Sequence, residues 1–132
     1  MELSSRVNLT KTPCSDRVKR LEKAGVVKAY RAELDPDQLF AGYISFVQVN
    51  LERTTSEMLE RFHAAIQIIP EIQSCHMIAG GFDYLLKIRT RDVAHYRKVL
   101  GEDIAMLPGV QQTHTYVVME TVKDEAFLPI PD

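Results

Sequence analysis

The sequence predicts an α+β chain of two unequal parts, and three observations predict it. The first 31 residues are basic and carry a well-marked helix after a tight turn. Residues 43–122 read as strand, helix, strand, strand, helix, strand. The strands of that second part are apolar on both faces, so one face needs a cover.

The charge is uneven along the chain. The net charge of -2 hides eight Lys/Arg against three acids in residues 1–31, a net of +5, and eight bases against fifteen acids in the rest, a net of -7. A basic end on an acidic body suggests a polyanion-binding arm beside a domain with another task. Met1 to Leu9 reads as a short amphipathic helix with Leu3, Val7 and Leu9 inward, and residues 9–12 break it. Thr12-Pro13 then signals a helix start, a threonine N-cap followed by proline at the first helical position. The helix runs to Ala24 and stops at Gly25, a residue suited to the left-handed position past a helix end. Cys14, Val18 and Leu21 form its apolar stripe and leave Ser15, Arg17, Lys19, Arg20 and Lys23 on the other faces. A short helix, a tight turn and a capped helix with a basic face make a helix-turn-helix. The alternative is a solvated charged face on a helical hairpin. Val26 to Leu34 alternates apolar and polar residues, carries Lys28 and Arg31, and reads as a strand, either a wing or a connector. Asp35-Pro36-Asp37 is a turn, and the domain boundary falls between Asp35 and Gly42.

In the second part, Tyr43 to Leu51 is a strand. Residues 54–57 cap a helix whose apolar positions are Met58, Leu59, Phe62, Ala65, Ile66 and Ile69, and Pro70 ends it. The stretch from Ile72 to Arg89 is central: two β-prone runs flank Gly80-Gly81-Phe82-Asp83, which is a hairpin signal. A second helix starts at Arg91-Asp92 and carries Val93, Tyr96, Arg97, Leu100, Ile104 and Leu107 along one side. Gly101 inside it costs up to about 1 kcal/mol relative to alanine, and Pro108-Gly109 ends it. Val110 to Val122 is the last strand, and residues 123–132 form an irregular tail with two prolines. This order is the ferredoxin-like βαββαβ arrangement, with both helices on one face of a four-stranded antiparallel sheet.

Such a sheet alternates cleanly when its other face meets water. Here Ile44 and Phe46 face opposite Val47 and Val49, and Tyr116 and Val118 face opposite Val117 and Met119. A second copy of the same sheet is the simplest cover for the open face, so a homodimer is expected. The alternative cover is the tail, which offers only Phe127, Leu128 and Ile130.

No apolar run approaches the roughly 20 residues of a membrane span, and the start shows no signal-peptide pattern, so the chain reads as cytosolic. Cys14 and Cys75 lie in different segments without metal spacing and read as reduced thiols. The rival class is a small ferredoxin-like dimeric enzyme, with His63, His76, His95, His114, Asp83 and Glu120 as its candidate groups. No two of these histidines have metal-ligand spacing, and no nucleophile–histidine–acid pattern or phosphate-cradling loop is present. His76 and His114 on strands could line a pocket or be hydrogen-bonded structural residues. No catalytic residue, metal or cofactor is expected.

The residues resemble those of the leucine-responsive/asparagine-responsive (Lrp/AsnC) transcription regulators. Leu9-Thr-Lys-Thr-Pro-Cys-Ser-Asp-Arg-Val-Lys-Arg-Leu-Glu-Lys-Ala-Gly25 resembles the family's turn and recognition helix. Gly80-Gly-Phe-Asp-Tyr-Leu-Leu-Lys87, Tyr96-Arg-Lys-Val-Leu-Gly101, Leu107-Pro-Gly-Val110 and Thr115-Tyr-Val-Val-Met-Glu120 resemble its effector domain. The likeness is greatest to the leucine-responsive branch. It implies residues 1–35 as a partial winged helix-turn-helix and 42–132 as an amino-acid-binding and assembly domain. It also implies a dimer that assembles to tetramers, octamers or hexadecamers, and amino acids bound at contacts between effector domains. In a complete DNA-binding domain Lys11, Thr12, Ser15, Arg17 and Arg20 would meet phosphates and base edges. Positions that tune the effector response fall on Asp83, Val93, Tyr116, Val117 and Val118. A free amino acid needs an acceptor for its ammonium, N–H groups for its carboxylate and an apolar wall. Asp83, the backbone opened by Gly80 and Gly81, and Val93 could supply these. Asp83 could equally be a turn-stabilising side chain, and the two glycines an ordinary turn.

The chain departs from the family at its start. The family's DNA-binding domain has a helix before the one at Glu2–Val7, and this chain begins where that helix would have ended. A trimmed chain, a downstream start and a naturally short protein are all open. The expectation is weak DNA binding alone, with an effector domain that still folds and assembles. An effector-domain protein that acts only by joining assemblies of longer relatives is the alternative. The resemblance names leucine as the first effector, with other apolar amino acids and proline next.

Overall fold

The computed structural model describes residues 11–124 and 128–131, with the side chains of residues 11–14 left out. The short helix and turn expected over residues 1–10 lie outside the described residues, as do 125–127 and 132. The chain divides into two compact units, Met1–Leu34 and Asp35–Asp132.

In the first unit, helix α1 spans Lys11–Lys23. Thr12 and Pro13 therefore sit inside its first turn, and Thr12 is not the N-cap; proline fits there because first-turn N–H groups have no helical partner. Val18 is buried and Leu21 half-buried, as the apolar spacing demands. The helix ends at Gly25 with φ +79°. Gly25 N–H donates to Glu22 O (3.1 Å) and Val26 N–H to Leu21 O (2.9 Å), which is a complete Schellman cap. The strand expected over Val26–Leu34 is absent: the segment forms no ladder, and Val26, Tyr30 and Leu34 are exposed. Alternation sets a side-chain preference, but a strand exists only where a neighbour takes its N–H and C=O groups.

The second unit contains β1 (Tyr43–Leu51), α2 (Ser56–Gln67), β2 (Ile72–Met77), β3 (Tyr84–Thr90), α3 (Val93–Val99) and β4 (Val110–Val117). The strands pair antiparallel in the order β2-β3-β1-β4. This is the ferredoxin-like fold. Thr55 caps α2, its hydroxyl accepting Met58 N–H at 3.3 Å, and Asp92 caps α3, accepting His95 N–H at 2.8 Å.

The second helix is not the continuous α-helix that the apolar spacing predicts. It ends at Val99 and widens into a π-turn over Leu100–Ile104, closed by Ala105 N–H to Leu100 O at 2.8 Å. The wide turn inserts one residue, so Ile104 rather than Asp103 is fully buried behind Val99. Gly101 lies in this turn. Val93, expected on the apolar side, is exposed.

One face of the sheet meets the helices. Val47, Val49, Leu51, Tyr84, Leu86 and Ile88 pack there against Phe62, Ile66, Tyr96, Val99, Ile104 and Leu107. On the other face the register sets Phe46 between Lys87 and Tyr116, and Gln48 between Leu85 and His114. Ile44, Phe46 and Leu85 on that face are only half-buried, and Tyr116 is exposed. Of the described tail, Val118 and residues 120–124 border this face around Ile44, Phe46 and Lys87, while Met119 is fully exposed and Leu128 is 84% exposed; Phe127 lies outside the described residues.

Candidate functional site

The β2–β3 connection is larger than a two-residue turn. Met77 and Tyr84 are the last pair, Ile78 N–H donates to Asp83 O (2.9 Å), and residues 79–82 form the loop. Asp83 fastens this loop to the end of β1. Its N–H donates to Val49 O (3.0 Å), and its Oδ2 accepts the Leu51 N–H (2.8 Å) at the irregularity between Asn50 and Leu51. One carboxylate oxygen therefore serves the fold. Oδ1 has no partner among the described residues.

Gly80 and Gly81 are exposed, and neither has a positive φ. A Cβ on Gly81 would meet nothing within 4 Å, and one on Gly80 would meet only Ile78 Cγ2 at 3.7 Å. Nothing within the chain's own fold requires glycine at either place. What the missing side chains leave is backbone open to close approach from outside.

The other expected effector residues lie elsewhere. Tyr43 pairs with Thr90 and Val49 with Tyr84, so Val93 follows the end of β3 remote from the loop. Tyr116 and Val117 pair with Phe46 and Ser45, and Val118 N–H donates to Ile44 O (3.0 Å), at that same far end. From four residues of strand (Tyr116) to six or more (Val118, Val93) separate the two groups, about 13 to 20 Å. Tyr116 shares the open face with Phe46, while Val117 lies on the helix-covered face with Ser45. One chain thus brings Gly80, Gly81 and Asp83 together and keeps Val93, Tyr116, Val117 and Val118 apart from them.

On α1, Lys19, Arg20 and Lys23 are exposed, and Ser15 and Arg17 are half-exposed. This is a basic surface opposite the buried Val18. The side chains of Lys11 and Thr12 lie outside the description.

The histidines are accounted for individually. His63 Nε2 is 2.5 Å from the Tyr84 hydroxyl, and His95 Nδ1 accepts the Arg91 N–H at 3.0 Å. His76 and His114 are exposed on the open face. No three His, Cys, Asp or Glu residues gather as metal ligands among the described residues. Burial pushes the Cys75 thiol from its ordinary 9.0 up to about 11, so it is protonated at neutral pH and a poor nucleophile. Burial, first, and then the neighbouring Cys75 and Asp83 raise Tyr84. None of the described helices is long and apolar enough to cross a membrane.

Sequence reasoning missed a cavity of about 480 Å³ whose walls include Phe40, Arg89, Arg91 and His95. Its residues come from four separate segments, and no spacing pattern links them.

Residues 44–127 match the family model described as the Lrp/AsnC ligand binding domain, and residues 2–28 match one for winged helix-turn-helix DNA-binding. The chain is 52% identical over 128 residues to the leucine-responsive regulatory protein of Haemophilus influenzae, covering 97% of this chain and 77% of that protein. It is 50% identical over 124 residues to the proline dehydrogenase transcriptional activator of Rhizobium radiobacter, covering 94% and 80%. Among solved structures it is similar to a transcriptional regulator from Neisseria meningitidis in complex with L-methionine. That match has 34% identity, a TM-score of 0.83, and coverage of 97% of this chain and 82% of that one.

Proposed function

This chain belongs to the Lrp/AsnC family of transcription regulators, and from that premise we propose that its effector is a free amino acid with an apolar side chain, bound between copies. It is a DNA-binding regulator of amino-acid metabolism, not an enzyme. The separation of the effector residues carries the reading. Asp83, Gly80 and Gly81 stand about 13 to 20 Å along the strands from Tyr116–Val118 and Val93, so one small ligand can touch both groups only if two chains supply them. The bare backbone at Gly80 and Gly81 supports the same reading, since nothing in the chain itself needs glycine there. Asp83 keeps one oxygen for an ammonium group while the other holds Leu51. Leucine is the first candidate by likeness to the leucine-responsive proteins; methionine and proline follow from the methionine-bound Neisseria regulator and the Rhizobium proline dehydrogenase activator.

Residues 1–35 act as the DNA-binding part and 42–132 as the effector and assembly part. α1 is the recognition helix, with Lys11, Thr12, Ser15, Arg17 and Arg20 at the DNA. A second copy covers Ile44, Phe46, Leu85, Tyr116 and Val118, and the dimers assemble further to tetramers or octamers. Light scattering with and without millimolar leucine, methionine or proline tests the effector reading. An even-numbered assembly whose mass shifts with one amino acid is expected. Gly81→Leu, whose Cβ would meet nothing within 4 Å in the single chain, should assemble and lose the response. A monomer indifferent to every amino acid would sink the reading. For the DNA part, Arg20→Ala should lower the salt-dependence slope of binding by about 1 in an anisotropy titration.

A further inference from the structure

β2 is an edge strand of the sheet, and its register with β3 decides which of its side chains face the helices. Cys75 pairs with Leu86 and Met77 with Tyr84. Leu86 and Tyr84 are buried beneath the helices, so Cys75 and Met77 leave the sheet on that same face. On α2, His63 Nε2 is 2.5 Å from the Tyr84 hydroxyl, and the two rings meet edge to face with centroids 5.5 Å apart. Register and helix thus bring a thiol, a thioether and an imidazole to one place. They line a cavity of about 250 Å³ whose other walls are Ile66, Gln67 and Tyr84.

The composition of this wall is selective. It holds no carboxylate, so a hard cation such as calcium or magnesium finds none of the charged oxygens it prefers. It holds no Lys or Arg, so no fixed positive charge in it repels a cation. Thiolate and thioether sulfur are soft ligands that favour Cu(I), and imidazole binds copper as well. The thioether tells against zinc, whose protein ligands are thiolate, imidazole and carboxylate. Charge points the same way. Cys75 is half-buried, and burial disfavours a bare thiolate. A monovalent cation forms a neutral pair with that thiolate, whereas a divalent one leaves a net charge in a partly apolar cavity. His63 is also held as a ligand imidazole is held, one ring nitrogen on a neighbouring oxygen. Its Nδ1 has no partner among the described residues.

We propose that His63, Cys75 and Met77 form a binding site for a soft monovalent metal cation, Cu(I) by its chemistry. The Cys75 S–H bond breaks, its proton leaves to solvent, and a sulfur–metal bond forms with no change of oxidation state. Met77 Sδ and His63 Nδ1 complete a three-donor set, while His63 Nε2–H donates to the Tyr84 hydroxyl oxygen. The third donor is a methionine, so this site differs from the His, Cys and carboxylate clusters that are absent among the described residues. The site does not depend on the amino-acid effector. It does adjoin the effector loop: Met77 and Tyr84 are the last pair before residues 79–82, so a bound cation pins the base of the loop that carries Gly80 and Gly81.

Anaerobic titration of the full chain with Cu(I), in competition with a chromophoric Cu(I) chelator, tests this. A Cys14→Ser background removes the other thiol. Cys75→Ser, Met77→Leu and His63→Gln are compared in that background, and circular dichroism checks that each folds. His63 and Met77 are exposed, so their variants carry the test even if Cys75→Ser does not fold. One Cu(I) per chain is expected to compete with the chelator. Cys75→Ser should abolish that binding, and Met77→Leu and His63→Gln should each weaken it about tenfold or more. Zn(II), titrated in the same way against a zinc indicator, should bind more weakly than Cu(I). Failure of the Cys14→Ser protein to take Cu(I) from the chelator overturns the site. Unchanged affinity in either Met77→Leu or His63→Gln overturns the three-donor set and leaves only a lone thiol. Zinc held as tightly as Cu(I) overturns the soft-cation assignment.

Discussion

The two faces of the sheet are built from similar residues and end in different states. On the helix face Val47, Val49, Leu86 and Ile88 are completely buried. On the other, Ile44, Phe46 and Leu85 are half-buried and Tyr116 is 54% exposed. The difference is in what lies above them. α2 and α3 close the first face within one chain, whereas on the second the described chain borders Ile44 and Phe46 with Val118 and residues 120–124 and leaves Tyr116 exposed. Hydrophobicity alone therefore does not tell whether a strand position serves folding or assembly. The cover decides it.

The largest effect should separate the two faces outright. Phe62→Ala removes a fully buried ring from the closed face and should cost about 3–5 kcal/mol in urea unfolding, at any protein concentration. Phe46→Asp on the open face should instead convert the assembly to monomers by light scattering, with the fold retained. If Phe46→Asp unfolds the chain at all concentrations, the open face is part of the monomer's core and the comparison fails.

Two smaller effects sharpen the closed face. The thiol of Cys75 sits on that face, at about 11 against an ordinary 9.0 because it is buried. At pH 8 its reaction with a disulfide reagent should be about 100-fold slower than a free cysteine's, measured in a Cys14→Ser background. The sign for stability follows from the proton count. The folded state keeps the thiol proton that the unfolded state loses, so this contribution is full below pH 9 and falls between pH 9 and about 11. A rate equal to that of free cysteine would show the β2 side of this face open to solvent. Smallest of all, Ser45 is fully buried with its hydroxyl unpaired. Ser45→Ala should raise stability by about 1 kcal/mol, and a loss instead would mean that the hydroxyl finds a partner in solution.

Much of the fold was legible because its signals are local. Thr55, Asp92 and Gly25 act at helix ends within a few residues of the groups they satisfy, and the two-residue alternation of β1 and β3 needs only the strand itself. The open apolar face was legible for the same reason. The misses have a common cause. Val26–Leu34 alternates like a strand, but its ladder partner is not local. The π-turn at Leu100–Ile104 follows from which residue reaches the core, which local spacing does not specify. Of the candidate site, the loop with its two glycines was readable; the bond from Leu51 to Asp83 across 32 positions was not.

By itself the sequence determined the order of strands and helices from Tyr43 on, the stops at Gly25 and Pro70, and that a basic helix precedes a βαββαβ unit with one apolar face to spare. Periodicity and capping are short-range, and they act before the chain has a shape. Only the tertiary structure decided that Asp83 braces β1, that His63 meets Tyr84, and that Arg91, His95, Glu71 and Phe40 share one cavity. It also decided that the expected effector residues stand at opposite ends of the sheet. Those relations depend on register and on packing between distant segments, which no single stretch of chain encodes.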